Sequence, residues 1–392
     1  MFHDRRTSLT KTLLGIVLLV TLALGGCIGP RGWPATQIDG DTLYVGTMAG
    51  RVLALNADRG TTKWEWPPET ETGKTPGARS GPGNISTGNA TRSFLGCSGA
   101  TTGQFRSGYF YGAPAVANGT IYIGYYAGMV YAIDAAEGKE VWRHDIRSVV
   151  ASGLTVVDDT VFVGSSDGRL SALYAGNGSL KWEFYSENEV WSTPTVVDGV
   201  VYFGSLDHNL YALNAADGTK RWAFEAGGAI VCTPLVIQSV VYVGSFDRKF
   251  YAIDADTGTL KWIFTGSGGW FWSEAAYDGG IIYAGSLDYN LYALDALSGS
   301  PAWPQPFKAS AAVKSSPVIT GGVLIVASDD GKIYSLDLKT GEQNWESARI
   351  KAKVLSSLCA AGGIVYINSQ DDRLYAFDSQ SGREIWGVTL DK

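Results

Sequence analysis

Residues 200–224 read Val-Val-Tyr-Phe-Gly-Ser-Leu-Asp-His-Asn-Leu-Tyr-Ala-Leu-Asn-Ala-Ala-Asp-Gly-Thr-Lys-Arg-Trp-Ala-Phe. Val200 to Gly204 is a β-branched and aromatic run, Ser205 to Asn209 supplies turn chemistry, and Leu210 to Asn214 is apolar again before Asp217-Gly218 reverses the chain toward Trp222. The pattern predicts strand, turn, strand, turn, strand. Three strands cannot bury both of their faces, so such a unit needs copies of itself as neighbours.

The copies are marked by Trp64, Trp142, Trp182, Trp222, Trp262, Trp303, Trp345 and Trp386, separated by 78, 40, 40, 40, 41, 42 and 41 residues. Each follows a turn such as Asn177-Gly178, Thr257-Gly258 or Ser381-Gly382, and each turn follows an apolar run such as Val130 to Ile133. A period of about 40 residues with four short strands per unit predicts an all-β fold, an eight-bladed β-propeller with one insertion. One tryptophan per blade at a constant offset predicts a packing device, the indole filling the wedge between blades with its N–H bonded across.

The 392 residues are 45% hydrophobic and 18% charged, a globular composition, and the repeat merges into one ring a length that otherwise suggests two or three domains. The net charge of −7 becomes more acidic when residues 1–26, with three basic residues and one acidic, are set aside. An acidic surface disfavours nucleic acid as a partner.

Arg5, Arg6 and Lys11 precede an apolar run from Thr12 to Ala23 and then Leu24-Gly25-Gly26-Cys27. The run is short for a membrane span, so residues 1–26 are expected to be a cleaved export signal. The site ending at Cys27 resembles the lipobox of prokaryotic lipoproteins, which implies that Cys27 carries lipid and that residues 27–32 tether a propeller spanning 33–392. Residues 67–108, rich in Pro, Gly, Ser and Thr, are expected to form a long loop between the first and second blades. It is read as a surface insertion or, alternatively, as a lid or partner-binding loop. Cys97 falls inside it. Cys232 and Cys359 fall in innermost-strand segments, where a cysteine is usually a small buried hydrophobe, and no disulfide framework is expected.

Segments such as Ser192 to Val197, Cys232 to Ile237 and Ser315 to Ile319 suit innermost strands crowded against a central channel. Asp recurs between second and third strands, at Asp167, Asp207, Asp247, Asp288, Asp329-Asp330 and Asp371-Asp372. One blade apart, these carboxylates are expected to point outward at separate rims, and a tight turn explains them without calcium. No metal site is expected. His144 and His208 are too few for a His-rich one, and no Ser-His-Asp order or phosphate loop stands out.

Tyr-Ala-Leu-Asn-Ala-x-x-Gly-x-x-x-Trp at 211–222 and Tyr-Ala-Ile-Asp-Ala-x-x-Gly-x-x-x-Trp at 251–262 resemble the tryptophan-docking repeat of pyrroloquinoline quinone (PQQ)-type propellers. The likeness runs from Trp33 to the carboxyl end except for the insertion. Eight blades behind a lipobox resemble its non-enzymatic branch, the lipid-anchored BamB-like outer-membrane assembly factors, more than the periplasmic quinoprotein dehydrogenases. The dehydrogenase branch implies adjacent cysteines, a stacking tryptophan and carboxylates that bind calcium; this chain has no two adjacent cysteines.

The channel mouth is expected to carry Tyr109, Tyr111, Trp191, Trp270 and Trp272 just ahead of innermost strands, with Glu274 inside one. These aromatic groups suit an apolar contact patch, a planar ligand or a sugar. Lys314 is read as a snorkelling surface lysine, with the channel within reach. The expectation is thus an exported, monomeric, lipid-anchored scaffold for other envelope or extracytoplasmic proteins, without cofactor or catalytic residues. The alternatives are a dehydrogenase using PQQ with calcium and a ligand- or polysaccharide-binding sensor.

Overall fold

In the computed structural model, residues 35–67, 109–347, 350, 352–354 and 356–390 are described. The expectations for the signal, the Cys27 anchor, the tether, Cys97 and most of the 67–108 insertion lie outside these residues. The unit Trp33–Lys392 contains eight four-stranded antiparallel sheets, each contiguous in sequence and each ordered first strand to fourth. In the blade that holds the opening stretch, the strands are Thr195–Val197, Val200–Gly204, Asn209–Asn214 and Lys220–Glu225. They are called β1 to β4 here and in the equivalent positions of every blade.

Side chains alternate across a strand, and in β2 of this fourth blade both faces are buried. Val200 and Tyr202 join the core shared with the fifth blade, whereas Val201 and Phe203 join the core shared with the third. That is why the strand reads as an unbroken apolar run. The same division repeats around the molecule, giving eight cores, one at each seam between neighbouring blades.

At every seam the indole of one blade docks on the next. Trp222 Nε1 donates to the Ala255 carbonyl at 2.9 Å, and the series runs Trp64 to Ala135, Trp142 to Ala175, Trp182 to Ala215, Trp262 to Ala296, Trp303 to Leu338 and Trp345 to Ser379. Trp386 returns to the Ala57 carbonyl at 3.0 Å and closes the ring on the first blade. The indole lies over the glycine of the neighbour's β3–β4 turn. Gly258 has φ +72°, and a Cβ there would fall 2.7 Å from Trp222. In seven blades β3 places a small residue opposite the indole, Ala212 in the fourth and Ser335 in the seventh, and shifts register there.

Two local expectations need correction. Innermost strands are shorter than the small-residue segments suggest: only Thr195–Val197 pairs in the fourth blade, because Pro194 lacks an N–H for the ladder and Trp191 and Thr193 turn to the channel instead. Three of the recurrent turn aspartates, Asp207, Asp247 and Asp288, do not point outward, whereas Asp371 is exposed. Asp207 Oδ1 accepts Asn209 N–H at 2.9 Å, while Oδ2 accepts Tyr211 O–H at 2.7 Å and, from the segment entering the blade, Glu187 N–H at 2.9 Å. Asp247 and Asp288 repeat this pattern with Tyr251 and Gly227, and with Tyr292 and Gly268. A carboxylate with several acceptor sites satisfies a turn, a tyrosine and an incoming strand at once.

Candidate functional site at the channel mouth

Where they are described, the segments that carry the chain from one blade to the next cross the same end of the ring as the β2–β3 turns. Their backbone is fixed there, as where Leu206 N–H meets the Glu189 carbonyl and Phe246 N–H that of Ala229, both at 2.9 Å. The chain then descends into β1, and just before it does so it lines a cavity of about 320 Å³ to which all eight blades contribute. Side chains lace adjacent segments around this cavity: Ser192 Oγ donates to the Cys232 carbonyl at 2.9 Å, Gly153 N–H to Thr193 Oγ1 at 3.0 Å, and Ser273 Oγ to the Ser315 carbonyl at 3.2 Å.

Of the sequence candidates, Tyr111, Trp191, Trp272 and Glu274 line the cavity together. Tyr109 and Trp270 do not; they back the lining. Tyr109 is buried and stacks on Tyr126 at 4.6 Å between ring centres, with Tyr111 on the same ring at 5.9 Å. Trp270 stacks on Phe246 at 4.8 Å, with Trp272 at 5.4 Å. The mouth therefore carries two aromatic stacks, one where the first blade passes to the second and one where the fifth passes to the sixth. Trp191 is pinned by donating Nε1–H to Ser166 Oγ at 3.2 Å. Burial pushes the Tyr109 and Tyr111 hydroxyls well above their ordinary range, so they stay protonated.

Tyr126 and Phe246, the platforms of the two stacks, escape sequence reasoning because they occupy the turn position that holds Ser166, Leu206, Leu287 or Gln370 elsewhere. That aromatic departure from the repeat is the available signal.

Lys314 is not a snorkelling surface residue. It lines the cavity, and Nζ is held 2.7 Å from Asp329 Oδ2 across the mouth of the seventh blade. Cys232 and Cys359 also line it as free thiols. The first is buried and donates to the Gly244 carbonyl at 3.2 Å, and burial raises the thiols to about 12 and about 11 respectively, which keeps both protonated and unreactive. Glu274 differs. Burial alone pushes its carboxyl from 4.5 up to about 7, and among the described residues no hydrogen bond or ion pair reaches it. Among those residues no three His, Cys, Asp or Glu side chains gather to hold a metal.

A family model described as "Beta-alanine-activating enzyme, beta-propeller" matches residues 149–392, more than half of the chain, and one described as "Outer membrane protein assembly factor BamB" matches residues 89–192. No curated protein matches the chain. Among solved structures the chain is similar to the computationally designed Ika8 protein, at 15% identity and a TM-score of 0.71 over 89% of this chain and 96% of that one. It is also similar to BamB from Moraxella catarrhalis, at 17% identity and a TM-score of 0.64 over 90% and 95%. At those identities the likeness is one of fold. With eight blades closed by docked indoles, the chain belongs to the propeller family described for beta-alanine-activating enzyme and is built on PQQ-like repeats of the BamB type.

Proposed function

We propose that this protein is a non-catalytic binding platform, a monomeric ring exported and held at a membrane through lipidated Cys27, that presents its channel mouth to other envelope or extracytoplasmic proteins. The observation that carries this reading is a stiff ring bearing two aromatic stacks, Tyr109–Tyr111–Tyr126 and Phe246–Trp270–Trp272, on one face. Apart from buried Tyr109 these rings are half-buried, and rigid aromatic surface of this kind contributes contact area at low entropy cost. Outer-membrane protein assembly is the specific form of the proposal, supported by the match over residues 89–192.

The PQQ-dehydrogenase alternative fits the residues poorly. Cys232 and Cys359 belong to the fifth and eighth blades, so among the described residues the lining has no adjacent cysteine pair and a single carboxylate, Glu274. Capture of partners from solubilised envelope by the anchored protein, lost when Trp270 and Trp272 are both replaced by Ala, tests the platform. Reduction of an electron acceptor by an alcohol or sugar in the presence of PQQ and calcium would overturn it. Cys27→Ser is expected to move the protein from the membrane to the soluble fraction.

A further inference from the structure

Counting back from each β1, the cavity-lining position held by Glu274 is held by Ala113, Gly153, Thr193, Thr233, Ser316 and Ser357 in the other blades from the second to the eighth. Small residues suffice there to pack and lace the ring. A carboxylate at this place in the sixth blade adds nothing that the repeat requires, and it stands half-buried and, among the described residues, without a partner, an arrangement that disfavours its charged form. Such a group is retained for something that enters the cavity.

The surroundings define what enters. Glu274 and Lys314 are the charged side chains of the lining, and the Lys314 charge is already matched by Asp329 at 2.7 Å. The charge left without a counter-ion is therefore negative. Two further lining residues, Thr36 and Ser152, are buried, and among the described residues their hydroxyls have no hydrogen-bond partner, but those oxygens are closed off from the open space of the cavity. Tyr111, Trp191 and Trp272 complete the wall with aromatic surface, which attracts organic cations through the negative faces of the rings. A single carboxylate with hydroxyls is too few ligands to hold a metal ion firmly.

We propose that the cavity at the channel mouth binds an organic cation, an ammonium or guanidinium group on a small apolar or aromatic body, with Glu274 as its counter-ion and the aromatic rings of the lining against its body. The volume of about 320 Å³ suits a ligand of one ring or a short chain. The inference stands on the cavity alone and goes beyond the platform reading: it holds whether or not a protein covers the rim.

Because the free carboxyl loses its proton near pH 7, the cation binds its ionised form, releases a proton there and binds more tightly as pH rises through that value. The other titratable groups facing the cavity leave this signal clear. Tyr111, Cys232 and Cys359 are all pushed up by burial and keep their protons, and the remaining charged group of the lining, Lys314, lies 2.7 Å from Asp329.

The test is calorimetric titration of the purified full chain with benzamidine, n-butylamine and benzoate, at about pH 6 and about pH 8. Benzamidine or n-butylamine is expected to bind, benzoate not, with affinity higher at the upper pH. Glu274→Gln is expected to weaken cation binding at least about tenfold at the upper pH while the thermal unfolding midpoint is kept or raised. Glu274→Asp is expected to recover part of the loss. A short arginine- or lysine-containing peptide, titrated in parallel, separates the sources: binding of the peptide but not of the free amines assigns the cation to a partner's side chain. Benzoate binding as tightly as benzamidine, an unchanged affinity in Glu274→Gln, or no binding of either cation or peptide at millimolar concentration would overturn the proposal. Partner capture in Glu274→Gln reads the platform separately.

Discussion

The outer seam of the ring and the mouth of its channel are built from the same eight repeats, yet they treat repetition in opposite ways. At the seam each blade supplies an indole, a backbone carbonyl to receive it and a turn glycine beneath it, as Trp222, Ala255 and Gly258 do between the fourth and fifth blades. At the mouth, equivalent positions diverge: Tyr111, Ala151, Trp191, Val231, Trp272 and Lys314 stand in one register around the cavity. The seam faces one geometric problem eight times, closing a wedge between two sheets, and one solution serves it. The mouth has no such recurrent demand once small residues have laced it together, so its residues differ from blade to blade. In a repeat protein uniformity marks the positions that the fold itself constrains.

The strongest way to break this comparison is at the seam. Trp222→Ala removes a docked indole and its hydrogen bond and is expected to cost about 3–5 kcal/mol, read as a lowered denaturant midpoint. An effect below about 1 kcal/mol would remove the indole from its structural role. Gly258→Ala comes next, at about 1–3 kcal/mol, because the φ of +72° is strained for alanine and the new methyl meets Trp222 at 2.7 Å. Tyr251→Phe leaves Asp247 with its Gly227 N–H at 3.0 Å and should cost about 1 kcal/mol.

The smallest effect belongs to the mouth and has the opposite sign. The Glu274 carboxyl keeps its proton in the folded ring up to about pH 7, whereas the unfolded chain loses it near 4.5. The folded state therefore binds more protons between those values, so this group lowers stability as pH rises across them and contributes no further change above. Glu274→Thr, which restores the residue found in the fourth and fifth blades, is expected to flatten that slope and to stabilise the ring by up to about 1 kcal/mol above pH 7, since the open mouth screens part of the charge. A slope that survives the substitution would place the titration elsewhere.

Much of the seam was legible in residues such as Trp222 and Asp217-Gly218, because period, turn chemistry and apolar runs are local properties that recur in the chain. The mouth was legible only in outline. Trp191, Trp272 and Glu274 were recognisable as channel residues from their place ahead of β1, but Tyr109 and Trp270 line nothing and instead support their neighbours. The stacks on Tyr126 and Phe246 join segments that sequence leaves unconnected. The Lys314–Asp329 pair joins an entry segment to a turn fifteen residues on, and charge alone cannot distinguish such a pair from two solvated side chains.

The sequence by itself determined the unit, its number and its all-β class, since a strand buried on both faces needs a neighbour on each side and a 40-residue period supplies one. Which residues meet at the channel, which charge is matched and which is left without a partner were decided by closure of the ring, where Trp386 finds Ala57 across 329 residues. That closure brings eight entry segments around one axis, and a carboxylate acquires its character from what surrounds it there.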